Sequence, residues 1–376
     1  MKLRKIKFQS YSPFTDFDMV ESIWKYMLKR CDHSFFLSWG WVESWILSLP
    51  QDSKVILLVA EKKNKLVLAF FVGGPTDQIR KTIPVIKTIS LNATGIPVYD
   101  ILCIEYNAFL FQKTFSCELR QIIDSIPLEW EEFLLPWIDV SLFPGNSIQD
   151  RLRPYHLVTR KESLSYYVDL KKVHECNGDY LSLLGKKTRY QIRQTERRYS
   201  ENGTVKLQVA ATIDEGLKVY DEMVDLHRQT WKERGRECSF NSDYFYSFHR
   251  NFIIKHFTTG DIQLVKLTCG EETIGCLYNF VYVGKVYFYQ SGFNYKGDKK
   301  LQPGLLTNAK AIIYNSTIGN LTYDFLAGDA LYKRRLSTDH NKLVWVAIQK
   351  PYFKFQLERL LEKKARLKNK IKGLIR

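Results

Sequence analysis

The sequence predicts an α/β protein, in the α+β sense, built from two tandem domains that each carry a mixed, mostly antiparallel sheet flanked by helices. Three observations lead there. The chain has 376 residues, 45% hydrophobic and 14% aromatic, which suits roughly two domains with separate cores. Residues 261–333 read as a β-meander, a glycine-led helix, a short strand and a polar turn. The first half can be read as a degenerate copy of that skeleton at a spacing of roughly 190 residues, a repeat of element order with no residue-level identity, or as an unrelated α/β domain.

In the first half, helical patterns at 16–29 and 39–47 precede strands at 55–60 and 66–72. Glu61-Lys62-Lys63-Asn64-Lys65 interrupts the apolar run from Val55 to Val72, so the run is a hairpin and not a membrane span. A third strand follows near 86–91, a helix at 111–126, and a closing strand at 133–140. The polar stretch 150–161, with Pro154, reads as the connection between domains.

The second half opens with a strand at 165–170 and a helix from 178 or 179 to about 202. Lys186, Arg189, Arg193 and Arg197 fall on one face of that helix, at steps of three, four and four. Leu184, Thr188, Ile192, Thr195 and Tyr199 form a second stripe able to pack. The basic stripe has two readings: a solvated face, or a docking strip for a phosphate-bearing donor or an acidic carrier protein. A strand at 205–209 and helices at 214–234 and 243–257 follow. Then come three strands at 262–267, 273–281 and 285–293, separated by Gly270-Glu271-Glu272 and Val283-Gly284, which are hairpin spacings. Leu301-Gln302-Pro303-Gly304 opens a helix to about 319, with proline where the missing N–H costs least. Strands at 323–326 and 343–348 close the order. The domains expected are 1–155, 156–350 and a basic amphipathic C-terminal helix at 351–376.

That last segment carries ten basic and two acidic residues from Lys350 to Arg376, a net +8. Its Phe353, Leu357, Leu360, Lys364, Leu367, Ile371 and Leu374 alternate by four and three. Such a helix can lie on an anionic membrane surface, pair with a partner helix, or stand solvated. The whole chain bears a net charge of +16, which favours anionic partners and says nothing of reaction type. The seven cysteines are odd in number, scattered and never in a C-x-x-C pair. They argue for a reducing compartment and against a disulfide scaffold or a zinc site, so no metal is expected. The basic N-terminus precedes no apolar run of signal-peptide length. The expected location is cytoplasmic, with room for peripheral contact at the inner face of the membrane.

The order of elements in the second half resembles the GNAT acyltransferase fold. The wording resembles its CelD-like branch, associated with cellulose and other polysaccharide biosynthesis, with Fem-type peptidyltransferases as distant relatives. The residues that carry the resemblance are Leu184-Gly185-Lys186-Lys187-Thr188-Arg189, His227 with Trp231, Arg234-Gly235, Tyr289-Gln290-Ser291-Gly292-Phe293, Pro303-Gly304 and Tyr323-Asp324-Phe325-Leu326-Ala327-Gly328-Asp329 leading to Tyr332-Lys333. The resemblance implies tandem GNAT-like domains, the first degenerate. It also implies transfer of an acyl group from acyl-CoA, with coenzyme A as donor carrier, or from an acyl carrier protein. The acceptor it implies is an amine or hydroxyl of a sugar, glycan or amino-acid-type molecule.

Such a transfer needs four things. A helix N-terminus offers free N–H groups to the donor's phosphates, and Gln302, Pro303, Gly304 and Leu305 stand at one; the single glycine departs from the family's Q/R-x-x-G-x-G/A loop. The developing oxyanion needs N–H donors, expected where strand 286–291 splays from 323–326, with Ser291 and Gly292 beside it and Gly292 marking the distortion. The leaving thiolate gains from an acid, and Tyr332 stands where the family often keeps a tyrosine. The acceptor's proton needs a base: Asp324 ranks first, as a carboxylate on a buried strand, then Asp329 and His227. Asp324 has a second reading, capping the loop or pairing with Lys333 or Arg334. Trp231, Arg234, Lys333, Lys186, Arg189 and Arg193 are the expected substrate or carrier contacts. No cysteine sits beside a histidine, so direct transfer is favoured over an acyl-enzyme. Two alternatives remain: a Fem-like transferase using aminoacyl-tRNA, and a non-catalytic scaffold for polyanions or membrane.

Overall fold

The computed structural model describes residues 6–80, 85–112, 119–139, 152–295, 297, 298, 300–361 and 364. Two compact units divide the chain: residues 1–162 with 343–376, and residues 163–342. The chain thus passes from the first unit to the second once and returns for its last strand.

The first unit contains β1 (Lys7–Tyr11), β2 (Val55–Lys62), β3 (Lys65–Gln78), β4 (Ile86–Leu91), the two-residue β5 (Leu110–Phe111) and β6 (Glu132–Asp139). The expected hairpin at 61–65 is the turn between β2 and β3, where Lys63 and Asn64 take the left-handed conformation such tight turns require. Helices Phe17–Leu28 and Trp39–Ser48 precede β2. The helix expected at 111–126 is shorter: Phe111 lies in β5, residues 113–118 fall outside the described residues, and the helix runs Leu119–Asp124. The stretch read as a polar connection is strand from His156, the start of β7 (His156–Asp169). Thr159, Lys161 and Glu162 are exposed among half-buried neighbours, a composition that by itself reads as a loop.

The second unit contains β8 (Val205–Val209), β9 (Ile262–Cys269), β10 (Glu272–Tyr282), β11 (Lys285–Phe293) and β12 (Thr322–Ala327), and β13 (Asp339–Gln349) begins at its end. Its sheet order is β7-β12-β11-β10-β9-β8, and that of the first unit is β13-β6-β4-β3-β2-β1. The two orders correspond position by position, and the two-residue β5, which pairs with β3, has no counterpart. In each unit one pair is parallel, β11 with β12 and β4 with β6, and the other neighbours are antiparallel. Each unit also kinks the strand after its parallel rungs. β12 shifts register between Asp324 and Ala327, with Leu326 at φ 61°; β6 shifts opposite Val344 and Val346, with Trp137 at φ 50°.

Helices cover both faces of the second sheet. Ile213–Glu233 and Asp243–His256 pack on one face, and Lys186–Ser200 and Pro303–Thr317 flank the other. Thr188, Ile192, Thr195 and Tyr199 are buried as the stripe predicts. The long helix expected from 178 is broken, with a 3₁₀ turn at Tyr180–Leu183 before the helix starts at Lys186. At the C-terminus residues 353–361 are helical, held by buried Phe355 and Glu358. Leu367, Ile371 and Leu374 of the expected seam lie outside the described residues. Among the described residues no helix is long and apolar enough to cross a membrane.

Candidate functional site

The site of the second unit follows from how β11 and β12 part. Their parallel pairing has three rungs, Lys285 with Thr322, Val286 with Tyr323 and Tyr287 with Asp324, and then ends. Phe288 and Phe325 are the first residues beyond the last rung. Backbone groups past that point are released from each other, as the sequence predicts. The distortion of β11 lies at Tyr289, however, and not at Gly292: Tyr278 and Asn279 of β10 face Gln290 and Phe288, leaving Tyr289 as the extra residue. Gly292 is required for packing instead. A Cβ there would come 2.3 Å from the Met223 carbonyl oxygen and 2.8 Å from Leu226 Cβ, so only glycine lets the 213–233 helix lie this close to β11.

Asp324 is buried, and its Oδ1 accepts hydrogen bonds from Ser165 Oγ at 2.9 Å and from the Leu326 N–H at 2.7 Å. It therefore shapes the kink that turns β12 away from β11. Lys333, read as a substrate contact, is turned inward; its ammonium donates to the carbonyls of Leu326 at 3.1 Å and Ala327 at 2.7 Å. A buried ammonium needs such acceptors, and these two fasten the Leu331–Leu336 helix to the end of β12. Asp329 is at the surface, accepting from Arg334 at 2.7 Å and from the Tyr166 hydroxyl at 3.1 Å. The Arg334 hydrogen bond, with that of Tyr166, holds its carboxyl below the usual range.

Tyr332 stands at the point of parting. Its ring is edge-on to Phe288 at 6.4 Å and to Phe325 at 6.1 Å, one from each strand. Burial, with a smaller contribution from Tyr295, raises its phenol well above the ordinary value, so it remains protonated at neutral pH. Its hydroxyl makes no hydrogen bond among the described residues.

On the other side of β11, His227 donates from Nδ1 to the Ser291 carbonyl at 2.7 Å. Its ring stacks on Trp231 at 5.5 Å and meets Phe240 edge-on at 5.1 Å. Burial lowers its pKa, the Ser291 hydrogen bond opposes that, and Arg234 lowers it further; the net shift is downward. The imidazole is thus neutral near pH 7, with Nδ1 carrying the proton and Nε2 left as an acceptor. Arg234 lies over the Tyr295 ring at 5.5 Å, and Tyr295 meets Phe293 at 6.2 Å.

The helix Pro303–Thr317 begins beside them. Gly304 abuts the Phe293 ring, which a Cβ would approach to 3.2 Å. Pro303 has no N–H, that of Gly304 has no partner among the described residues, and Gln302 N–H is held by Thr195 Oγ at 3.2 Å. Leu305 N–H bonds back to the Gln302 carbonyl at 3.1 Å. The basic stripe faces away from the core: Lys186, Arg193 and Arg197 are exposed, and Arg189 donates to the Ser182 carbonyl at 3.3 Å. The fold thus gathers Tyr332, His227, Trp231, Arg234, Ser291 and Gly304 around the outer part of β11. Asp329 and the stripe residues Lys186, Arg193 and Arg197 are exposed instead. Sequence reading missed the Phe288–Phe325 pair and Tyr295. Their only signal was aromatic density over 287–295 and 323–325, which suits core packing equally well.

Comparison with known proteins bears on this geometry. Residues 186–334 match the family described as acetyltransferase (GNAT) domain. FemX is similar in structure, with a TM-score of 0.57 and 11% identity over 95% of this chain and 100% of that one. A conserved protein of unknown function from Bacteroides thetaiotaomicron VPI-5482 is similar at TM-score 0.52 and 11% identity, over 92% of this chain and 100% of that one. The C-terminal domain (DUF2156) of a putative lysylphosphatidylglycerol synthetase from Agrobacterium fabrum gives 0.52 and 9%, over 92% and 96%. At these identities the likeness concerns fold alone. No curated protein matches the sequence. The match runs from the start of the Lys186–Ser200 helix into the Leu331–Leu336 helix and contains the parting strands, the free helix N-terminus and Tyr332, so it is this part of the chain that is similar to a GNAT acetyltransferase domain.

Proposed function

We propose that the second unit transfers an acyl group from a thioester, acyl-CoA or an acyl carrier protein, directly to an amine or hydroxyl of a sugar or amino-acid-type acceptor. The observation that carries this reading is Tyr332 held between Phe288 and Phe325 where β11 and β12 separate. The acyl group lies in that opening, its carbonyl oxygen met by released backbone N–H groups of β11. His227 Nε2 accepts the proton of the attacking nitrogen or oxygen as the new bond to the carbonyl carbon forms. The C–S bond then breaks, and Tyr332 donates its phenolic proton to the departing sulfur. Asp324 acts through the backbone, setting the angle of β12. The N-terminus of the Pro303–Thr317 helix takes the donor's phosphates.

The test is thermal stabilisation of the full chain by coenzyme A and a series of acyl-CoA thioesters. A ligand at a hundred times its Kd adds about 2.7 kcal/mol to apparent stability. Gly304→Glu places a carboxylate where the phosphates bind and removes that gain; its unliganded melting midpoint reports any loss from crowding Phe293. Absence of stabilisation by every thioester overturns a coenzyme A donor.

The pH dependence follows from His227. Because its pKa is lowered from 6.5, the basic form is present throughout the neutral range. The acid limb of kcat/KM is therefore expected below pH 6.5, with no rise above it. A limb above that value in the pH–rate profile removes His227 as the base.

A second reading is favoured by one observation. Lys186, Lys187, Arg193 and Arg197 make no ion pair among the described residues, and exposed Tyr190 stands among them. A polyanion such as an aminoacyl-tRNA donor suits that face. Transfer that requires charged tRNA and weakens steeply with salt supports it, and full activity with a thioester alone excludes it.

A further inference from the structure

The first unit has a cavity of its own, of about 70 Å³. It lies where β4 and β6 part after their last parallel rung, Ser90 opposite Leu134. That place corresponds to the opening beyond Tyr287 and Asp324 in the second unit. Its walls are four indoles, Trp41, Trp45, Trp137 and Trp345, with the loop that follows β4. Protein interiors hold few voids larger than a water molecule. This one has room for roughly five water-sized groups.

The walls are braced from behind. Trp41 meets Phe35 and Phe36 edge-on at 5.6 and 5.3 Å, and Trp45 meets Phe71 at 5.6 Å. Asn92 accepts from the Phe71 N–H at 2.8 Å and donates to Asn107 Oδ1 at 2.7 Å and the Ala108 carbonyl at 2.8 Å. The Asp100 carboxylate accepts from the Thr94 N–H, the Thr94 hydroxyl and the Gly95 N–H, each at 2.8 Å. Three lining residues that are not glycine, Asn92, Cys103 and Trp137, take left-handed backbone conformations, with φ of 47°, 53° and 50°. Backbone strain of this kind persists where surrounding structure enforces it, and it gathers at ligand sites.

The chemistry left facing the void defines the occupant. Asn92 and Asp100 are engaged in holding the loop, and no lysine or arginine lines the cavity. An anionic ligand would find no counter-charge there, and the one lining carboxylate, Asp100, is already taken up by three donors of its own loop. The indole N–H groups of Trp45 and Trp345 and the hydroxyl of Ser90 have no hydrogen-bond partner among the described residues. The cavity thus offers apolar indole faces, two N–H donors and one hydroxyl that both donates and accepts. A short acylamide satisfies all of these at once: its alkyl group against the indoles, its carbonyl oxygen to an indole N–H, and its N–H to Ser90.

We propose that this cavity binds the N-acyl group, of acetamido size, of a small uncharged ligand. The inference concerns the first unit alone and does not depend on the chemistry of the second. The experiment titrates the full chain with N-acetylglucosamine, glucosamine and glucose while following tryptophan emission. N-acetylglucosamine is expected to give a saturable change, with half-saturation at a concentration at least tenfold lower than for either sugar lacking the amide. Ser90→Ala and Trp345→Phe each raise that concentration by about fivefold to tenfold, the effect of losing one hydrogen bond. Ala93→Leu, which fills the cavity, abolishes the response. If Ala93→Leu fails to fold, the two conservative variants still decide. An equal response to glucose, no saturable response to N-acetylglucosamine, or an unchanged response in both Ser90→Ala and Trp345→Phe overturns the proposal.

Discussion

Tyr332→Phe is expected to lower kcat for acyl transfer by about a hundredfold or more while leaving KM and thermal stability nearly unchanged. Phenylalanine keeps the ring contacts with Phe288 and Phe325, and the hydroxyl it removes has no partner among the described residues. The stability change should therefore stay within about 0.5 kcal/mol. The loss falls on the step in which sulfur leaves without a proton donor, so it depends on the leaving group. A thiolate leaves with modest help, whereas an alkoxide from an oxygen ester is far more basic and needs the proton more. With donors of graded leaving-group basicity, the ratio of wild-type to variant kcat should rise as the leaving group becomes more basic. A constant ratio near one would make Tyr332 a packing residue and leave the acid elsewhere.

Glu132→Gln is expected to destabilise the first unit by about 3 kcal/mol, read as a shift in its denaturant midpoint. Glu132 is fully buried at the start of β6 and is paired with Arg80 and, at 2.6 Å, with Arg160. Glu358 of the C-terminal helical segment accepts from the same two guanidinium groups at 3.2 and 3.3 Å, and Gln349 bridges both carboxylates at 2.9 and 3.3 Å. Burial would raise the Glu132 carboxyl, but the Arg80 hydrogen bond and the charges of Arg160 and Arg80 outweigh it and hold the carboxyl below 4.5. Its contribution is accordingly full above that value and is lost as pH falls through the lowered pKa. Gln keeps the shape and removes the charge, leaving two arginines to share Glu358. Their side chains remain about one-fifth exposed, and water screens part of the loss, which places the effect at the low end of the range for breaking a buried pair. A midpoint unchanged within about 0.5 kcal/mol would mean that the arginines relax into solvent and that the cluster does not secure the C-terminal segment.

The parts legible in the sequence are those governed by local pattern. The meander at 262–293 needs only alternation and turns with glycine, and β9, β10 and β11 lie where those signals put them. The buried stripe of the Lys186–Ser200 helix follows from a 3.6-residue period. The polar start of β7 was not legible, because a strand with exposed charges has the composition of a loop, and β5 was not because two apolar residues carry no period. At the site, Tyr332 and His227 were identifiable as residue types in a plausible order. Their roles were not, since burial and hydrogen-bond direction assign those. Asp324 illustrates the limit: a lone carboxylate in an apolar strand signals a constraint, and only its bonds to Ser165 and Leu326 say that the constraint is a backbone kink.

By itself the sequence determined the fold class, the doubled element order and the position of the helix that starts at Pro303, because hydrophobic period, glycine and proline act within a few residues. Only the tertiary structure decided which half each strand completes. β7 precedes the second unit and its later part closes that unit's sheet against β12, whereas the 343–349 part of β13 returns to pair with β6 of the first. Strand pairing joins residues far apart in the chain, and a strand carries no local mark of the partner whose hydrogen bonds it will satisfy. The same holds for the two openings beyond the parallel rungs, which exist only because neighbouring strands diverge.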